Sequence, residues 1–442
     1  MKQKSKFIHV YIDMFCRSWY KHCYNNHNRR GSMNYNKKRW LILIASCFIN
    51  LCIGSLYAWS VLSVPMAEHL SQITGITLTA RDLSIIFVIA NAVGPITMIT
   101  GGTINDTLGP KLVVLIGGIM FGGGMFLSGY ATSVNFLIVT YSLLLGLGLG
   151  MVYGSTISTS IKFFPDKRGL VGGLTTATFG ISSVIIPPIA AMIISTTGVT
   201  SAFKIIGAVF TIIICLSAIF MEKCPANFVP EGYTPPSTGK QAAINKNWKE
   251  MLQTPVFYIM IVLLTCGAFA ALMFIPMASP LAQNIVGMSV VSATAAVSTL
   301  ALFNVLGRIL AGSVSDKIGR INTLALACMM SVIGLIMLYF CNKGDVALFY
   351  IAISIIGICF GAFMGVFPGF TADQFGPKNN SVNYGIMFIG FALAGTVGPI
   401  ILNKIFAATG SYKNAFLTAI IISLIGLVLT FIYTRIKKSQ TN

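Results

Sequence analysis

The chain has 442 residues, 55% of them hydrophobic and only 9% charged, and a formal net charge of +19. A mean hydropathy of +0.81 excludes a soluble globular domain, which needs far more polar surface. The cationic excess does not point to nucleic acid, because it is spread between apolar segments and forms no basic patch interleaved with aromatics. The ten cysteines lie mostly inside apolar runs with no CxxC, so neither a disulfide framework nor a zinc site is expected. Cys16, His22 and Cys23 belong to the polar N-terminal tail and read as solvated side chains, not as metal ligands.

Residues 1–39 form a basic polar tail without the apolar region and small-residue cleavage site of a signal peptide. Met33, just ahead of NYNKKRW, is a candidate for the true start. Twelve apolar runs long enough to span a bilayer follow, at about 41–64, 83–104, 112–130, 135–159, 170–193, 203–221, 256–279, 291–312, 322–340, 346–369, 383–404 and 414–434. The first carries Tyr57 and Trp59 in its second half, Trp59 being placed as an interface anchor. Asp82, beside Arg81, is placed to cap the second helix or to complement its dipole. The fourth run contains Gly146, Gly150 and Gly154 on one helical face, which predicts close approach of a neighbouring helix and not a nucleotide loop. The fifth helix is expected to end near Pro187 and Pro188. Residues 222–255 are the long internal polar stretch and read as a linker between two halves, 40–221 and 256–434, with a tail at 435–442.

Placing both termini in the cytoplasm puts 24 of the 30 lysines and arginines on the cytoplasmic side, as the positive-inside rule requires. The halves repeat one another. GGTINDTLGPK after the second run and GSVSDKIGR after the eighth share the pattern Gly102, Asp106, Gly109, Lys111 and Gly312, Asp316, Gly319, Arg320. FFPDKRG after the fourth run echoes ADQFGPKN after the tenth. Repeated landmarks at a similar offset imply two six-helix repeats in an all-α membrane protein. The two aspartates are suited to accept hydrogen bonds from helix N-termini and to pair with cations, latching one conformation without touching substrate.

Arg308 lies inside the eighth apolar run. A charge at the centre of a spanning helix costs roughly 2.5–3.5 kcal/mol on insertion scales, so it is a functional candidate by default. No acidic residue lies inside an apolar run to pair with it, which points to the carboxylate of a small anionic substrate. It is expected about a turn from the following loop, near enough to snorkel or to bond helix-end carbonyls instead. No nucleophile and base, metal cluster or cofactor loop is visible, so neither an enzyme nor a cofactor is expected.

The duplicated motif resembles that of the major facilitator superfamily. Within it, KRWLILIASCFINLCIGSLYAWS, GMVYG with FPDKRGL, Arg308 ahead of GSVSDKIGR, and FPGFTADQFGPKNNSVNYG make residues 38–434 similar to the oxalate/formate antiporter family, which is monocarboxylate-transporter-like. That resemblance implies a carboxylate site at the midplane, boxed by aromatics. Arg308 would clamp the substrate, Asn304 would lie one turn before it, and Tyr57, Tyr153, Phe179 and Phe360 would line the cage. Where the oxalate-exchanging relative has a second cation, a lysine, this sequence has Phe391, and another cage aromatic is replaced by Met364. One cation and an added ring suit a monocarboxylate such as pyruvate, lactate or formate better than a dianion.

The expected function is therefore secondary active transport of small organic anions across the cell (plasma) membrane by alternating access, in a monomeric multi-pass carrier. Arg308 left unpaired in the empty carrier would hinder reorientation, favouring exchange with a counter-anion or co-transport with a proton. Oxalate/formate-type dicarboxylate antiport is the alternative nearest in class. Multidrug efflux is disfavoured because the fifth run, FGISSVIIPPIAAM, lacks the G-x-x-x-G-P-x-x-G-G pattern of proton-driven pumps. A non-transporting nutrient sensor is disfavoured because no fused cytoplasmic domain is visible.

Overall fold

A computed structural model describes residues 35–80, 82–225, 228–234, 245–275 and 278–441. Cys16, His22, Cys23, Met33 and Arg81 lie outside the described residues. Among the described residues, twelve helices are long and apolar enough to cross a membrane. We number them α1 (Tyr35–Thr74), α2 (Ser84–Leu108), α3 (Pro110–Ser128), α4 (Val134–Phe163), α5 (Arg168–Thr197), α6 (Val199–Phe220) and α7 (Pro255–Phe274). They continue with α8 (Val290–Ile318), α9 (Arg320–Phe340), α10 (Val346–Phe375), α11 (Asn380–Thr409) and α12 (Lys413–Thr441).

Most helices outrun their apolar cores, and the connections shrink accordingly. α2 to α3, α5 to α6 and α8 to α9 are each joined by one residue, Gly109, Gly198 or Gly319, with φ of 102°, 83° and 89°. Only glycine takes such a conformation without steric cost, so these three positions require it. Asp106 and Asp316, expected in loops, therefore sit in the last turns of α2 and α8. α5 does not end at its prolines: Pro187 and Pro188 are both internal, and the helix runs on to Thr197. Membrane helices tolerate such prolines because neighbouring groups satisfy the freed carbonyls. Nor does Asp82 cap α2, since its Oδ2 accepts from the Thr79 amide at 2.8 Å and the Thr79 hydroxyl at 2.7 Å.

Two spans depart from regular α geometry. α1 tightens into a 3₁₀ segment at Gly54–Ala58, and α4 loosens into a π segment at Ile138–Leu145. Trp59, just after the 3₁₀ segment, is 5% exposed and packs on Tyr141 of the π segment at 4.6 Å. It is a core residue and no interface anchor, because α1 continues for a further fifteen residues beyond it. The α4 glycines behave as expected: Gly146 and Gly150 lie against the backbone of Ala90 and Gly94 in α2, and Gly154 lies against Met98.

The two repeats meet along glycine seams. Gly169 and Gly173 of α5 face Gly312 and the Arg308 carbonyl of α8 so closely that a Cβ on either would strike backbone. On the other seam, a methyl at Gly102 of α2 would lie 2.9 Å from the Ser381 carbonyl carbon of α11, and one at Gly385 would lie 3.1 Å from Met98. Backbone-to-backbone contact of this kind is how membrane helices associate where burial of apolar side chains offers little advantage over lipid.

Candidate functional site

Arg308 is 3% exposed and, taken as a whole residue, is the one buried charged residue among the described residues. It lies eleven residues before Gly319, about three helical turns from the end of α8. In this conformation the side chain is turned into the protein and does not snorkel. Glycines clear the space for its turn from both sides: Gly361 and Gly365 of α10 and Gly173 of α5 all abut the Arg308 backbone. Its guanidinium passes beside Gly180. Nε donates to Asn304 Oδ1 at 3.2 Å, and Nη1 donates to the Thr176 carbonyl of α5 at 2.5 Å. The arginine is thus not unpaired in the empty protein, as the sequence suggested. It borrows a neutral carbonyl from the opposite repeat, and no carboxylate pairs with it among the described residues.

Around it runs an arc of rings drawn from both repeats. Phe87 of α2 meets Tyr57 of α1 at 6.2 Å, and Tyr57 meets Phe179 of α5 at 5.7 Å. Phe179 meets Tyr153 of α4 at 4.9 Å, and Tyr153 reaches across to Phe388 of α11 at 5.6 Å. Phe388 stacks on Phe391 at 4.5 Å, and Phe391 faces Phe360 of α10 at 6.2 Å, both with 22° between ring planes. The Arg308 guanidinium closes the arc, 6.0 Å from the Phe360 ring. The hydroxyls of Tyr57, Tyr153 and Tyr384 lie within range of its charge.

The seven residues expected at the site, Arg308, Asn304, Tyr57, Tyr153, Phe179, Phe360 and Phe391, are all brought together. Three neighbours were missed: Phe87, Tyr384 and Phe388. Tyr384, Phe388 and Phe391 are spaced i, i+4, i+7, one face of α11, which was the available signal. The 3₁₀ segment of α1 is packed into α5 because Gly54 lacks a Cβ, which would sit 2.7 Å from Ser182 Cβ. Such local tightening often marks functional positions, and here it carries Tyr57.

At the ends of α2 and α8 the two motif aspartates perform matching tasks. Asp316 accepts from the backbone amides of Gly169 and Leu170, both at 2.9 Å, in the first turn of α5. Asp106 accepts from the Val382 amide at 3.3 Å, in the first turn of α11. Each carboxylate thus caps a helix of the other repeat, where the helix dipole favours negative charge. The cations differ from the simplest expectation. Lys162 of α4, not Lys111, pairs with Asp106 at 2.6 Å. Arg320 pairs with Asp316 at 2.6 Å and with Asp373 of α10 at 2.8 Å, and Arg168 of α5 also reaches Asp373, at 2.6 Å. Gly102 and Gly312 permit the seam contacts, and Gly109 and Gly319 make the one-residue joints, so every motif residue but Lys111 has a physical task.

The model of the Major Facilitator Superfamily matches residues 44–399 and 273–442. The chain belongs to that superfamily. It is 29% identical over 417 residues to the oxalate:formate antiporter of Oxalobacter formigenes, covering 93% of this chain and 95% of that protein. It is 28% identical over 363 residues to the uncharacterized MFS-type transporter YhjX of Escherichia coli K12, covering 81% and 86%. Human monocarboxylate transporter 12 is 24% identical over 433 residues, covering 91% of this chain and 82% of its own. Among solved structures, the transporter FucP in the outward conformation superposes with a TM-score of 0.68 at 13% identity, covering 90% of this chain and 99% of that one. This superfamily member is accordingly an all-α, multi-pass membrane transporter.

Proposed function

We propose that this superfamily member carries small monocarboxylates by alternating access, with Arg308 as counter-ion to the substrate carboxylate. The observation that carries the reading is a guanidinium that, among the described residues, is the single buried one and is paired with no carboxylate, inside an aromatic arc contributed by both repeats. Arg presents a planar fork that suits two-point binding of a carboxylate. Two of its five N–H donors are engaged by Asn304 and Thr176, which leaves donors for an anion. The rings on the remaining sides offer an apolar wall to the substrate's other end and exclude water.

The Arg308 to Thr176 bond also suggests how binding is coupled to movement. It bridges α8 and α5, on opposite sides of a glycine seam. When the seam opens, the bond breaks. In the loaded carrier the substrate carboxylate takes over the guanidinium. In the empty carrier nothing replaces the bond, and reorientation is slow. The reading therefore favours exchange of one anion for another. With both termini assigned to the cytoplasm, the motif end is the cytoplasmic end, and the conformation described is closed there.

The second reading, dicarboxylate exchange as in the Oxalobacter relative's name, is disfavoured by one observation. Phe391 stacks between Phe360 and Phe388, so a ring stands where a second cation would serve a dianion.

Labelled pyruvate uptake into proteoliposomes, with oxalate, lactate and formate as competitors, tests the proposal. Uptake that needs internal anion and is blocked by lactate but not oxalate is expected. Block by oxalate restores the dicarboxylate reading. Uptake that runs without internal anion and follows a proton gradient replaces exchange by symport. Near-normal uptake by Arg308→Gln removes the central claim.

A further inference from the structure

A second cationic cavity lies at the end of the molecule opposite the two motifs. It has a volume of about 320 Å³ and is formed where the α7–α8, α9–α10 and α11–α12 connections meet. Its walls include Lys343 and Lys413, the amide side chains of Asn284 and Asn342, and the rings of Phe406 and Tyr412. No acidic residue lines it among the described residues. The nearest in sequence, Asp345, turns its carboxylate onto the Asn342 backbone amide at 2.9 Å. Neither ammonium pairs with a carboxylate among the described residues. Lys413 rests over the Tyr339 ring at 5.7 Å.

The cavity is held in shape by its neighbours. The Gly344 amide donates to the Val286 carbonyl at 3.0 Å, tying the turn that bears Lys343 to the end of the α7–α8 connection. The Lys343 stem lies over Gly287, where an added methyl would sit 3.3 Å from its Cγ and Cε. Phe406 and Tyr412 stack at 4.3 Å with 15° between planes, making a flat apolar wall.

Two like charges on residues of one cleft wall repel each other, and an anion between them reverses the sign of that interaction. A compact ammonium also suits phosphate and carboxylate oxygens. From the two uncompensated lysines beside a stacked aromatic wall, we infer that this cleft is a second, peripheral anion site for a carboxylate or phosphate group borne on an apolar body. Such a group comes from a soluble organic anion or from the headgroup of an anionic lipid. The site shares no residue with the Arg308 arc, so it stands or falls independently of the transport proposal.

Lysine acetylation of the purified full-length chain in detergent micelles, read peptide by peptide by mass spectrometry, tests it. The probes are benzoate against neutral benzamide, and phosphatidylglycerol against phosphatidylcholine. Lys204, seated on the Tyr130 ring at 3.9 Å and away from the cleft, is the internal control. One anionic probe should slow acetylation of Lys343 and Lys413 together, several-fold, leaving Lys204 unchanged and with no effect from its neutral counterpart. Protection by benzoate identifies a soluble-anion site, and protection by phosphatidylglycerol a lipid site. In Lys343→Gln the protection of Lys413 should be lost, because one anion bridges both. No protection by either anion beyond its neutral counterpart overturns the inference, as does protection of Lys413 that survives in Lys343→Gln.

Discussion

Arg308 needs shape as well as charge. Its Nε and Nη1 point at two different oxygens, Asn304 Oδ1 and the Thr176 carbonyl, which one ammonium on a lysine stem cannot serve in the same geometry. Arg308→Lys should therefore fold and insert normally yet lower initial uptake by about tenfold or more, a loss of about 1.4 kcal/mol in the rate-limiting complex. Uptake in proteoliposomes at matched protein levels measures it. Phe391→Lys puts a second cation beside Phe360 and Phe388. Competition curves should then shift from lactate toward oxalate, and unchanged curves would take Phe391 out of the binding surface. A third residue reports on the motif end. Cys224 follows α6 and donates its S–H to the Lys162 carbonyl at 3.4 Å; burial pushes its thiol up to about 12, with the nearby Lys162 charge opposing the rise. Maleimide reacts with thiolate, so Cys224 labelling should stay negligible from about pH 7 to 9 in the folded protein and become rapid after denaturation. Part of the candidate site was legible residue by residue. Arg308 stands out because a lone charge in an apolar run has few innocent explanations, whereas Tyr57, Tyr153, Phe179 and Phe360 came only through the family resemblance. Phe388 and Phe87 were hidden among 30 phenylalanines, since a ring in a membrane helix looks the same whether it faces lipid or a cavity. Trp59 was misplaced for a related reason: the apolar run ends before the helix does.

Helices carry the second layer of information. The run of glycines on α5, α8 and α10 lets three backbones converge on the Arg308 turn, and that convergence presents the guanidinium to the arc. Gly173→Ala would set a methyl against the Arg308 carbonyl and 3.1 Å from its carbon. The conformation seen here should lose population while the alternative, with α5 and α8 apart, is unaffected. Cysteine pairs placed across the ends of α5 and α8 should cross-link less in Gly173→Ala than in the parent, and equal yields would show that the seam absorbs the methyl. The helical face of Gly146, Gly150 and Gly154 was readable because small residues at regular spacing have one structural use. The ends of α2 and α8 were not, because polar motif residues imitate a loop, and that of α5 was not, because paired prolines imitate a helix stop. Only the positive φ of the glycine after each helix distinguishes a one-residue joint from a longer turn.

Across the whole molecule, closure at the motif end rests on several modest interactions acting together. The exposed Arg168–Asp373 pair contributes about 0–1 kcal/mol alone, whereas the two amide bonds to Asp316 are charge-assisted and stronger. Combining Asp316→Asn with Asp106→Asn should therefore open the motif end far more than Asp373→Asn does, read as increased labelling of single cysteines placed along α5 and α11. Comparable labelling in both variants would mean that the glycine seams alone set the closed state. The twofold repeat of the motif made this architecture visible in advance, because a carboxylate three residues before a helix-joining glycine recurs in both halves. That each aspartate caps a helix of the other half was not visible, since pairing across 146 or 276 residues leaves no local trace. The Arg308 to Thr176 bond has one more consequence. With Arg308 as the proposed counter-ion to substrate, a carrier that occupies this cation when idle would be insulated against slippage. A cell deprived of the anion would not dissipate ion gradients through futile cycling, and the idle protein would wait, silent, until its cargo returned.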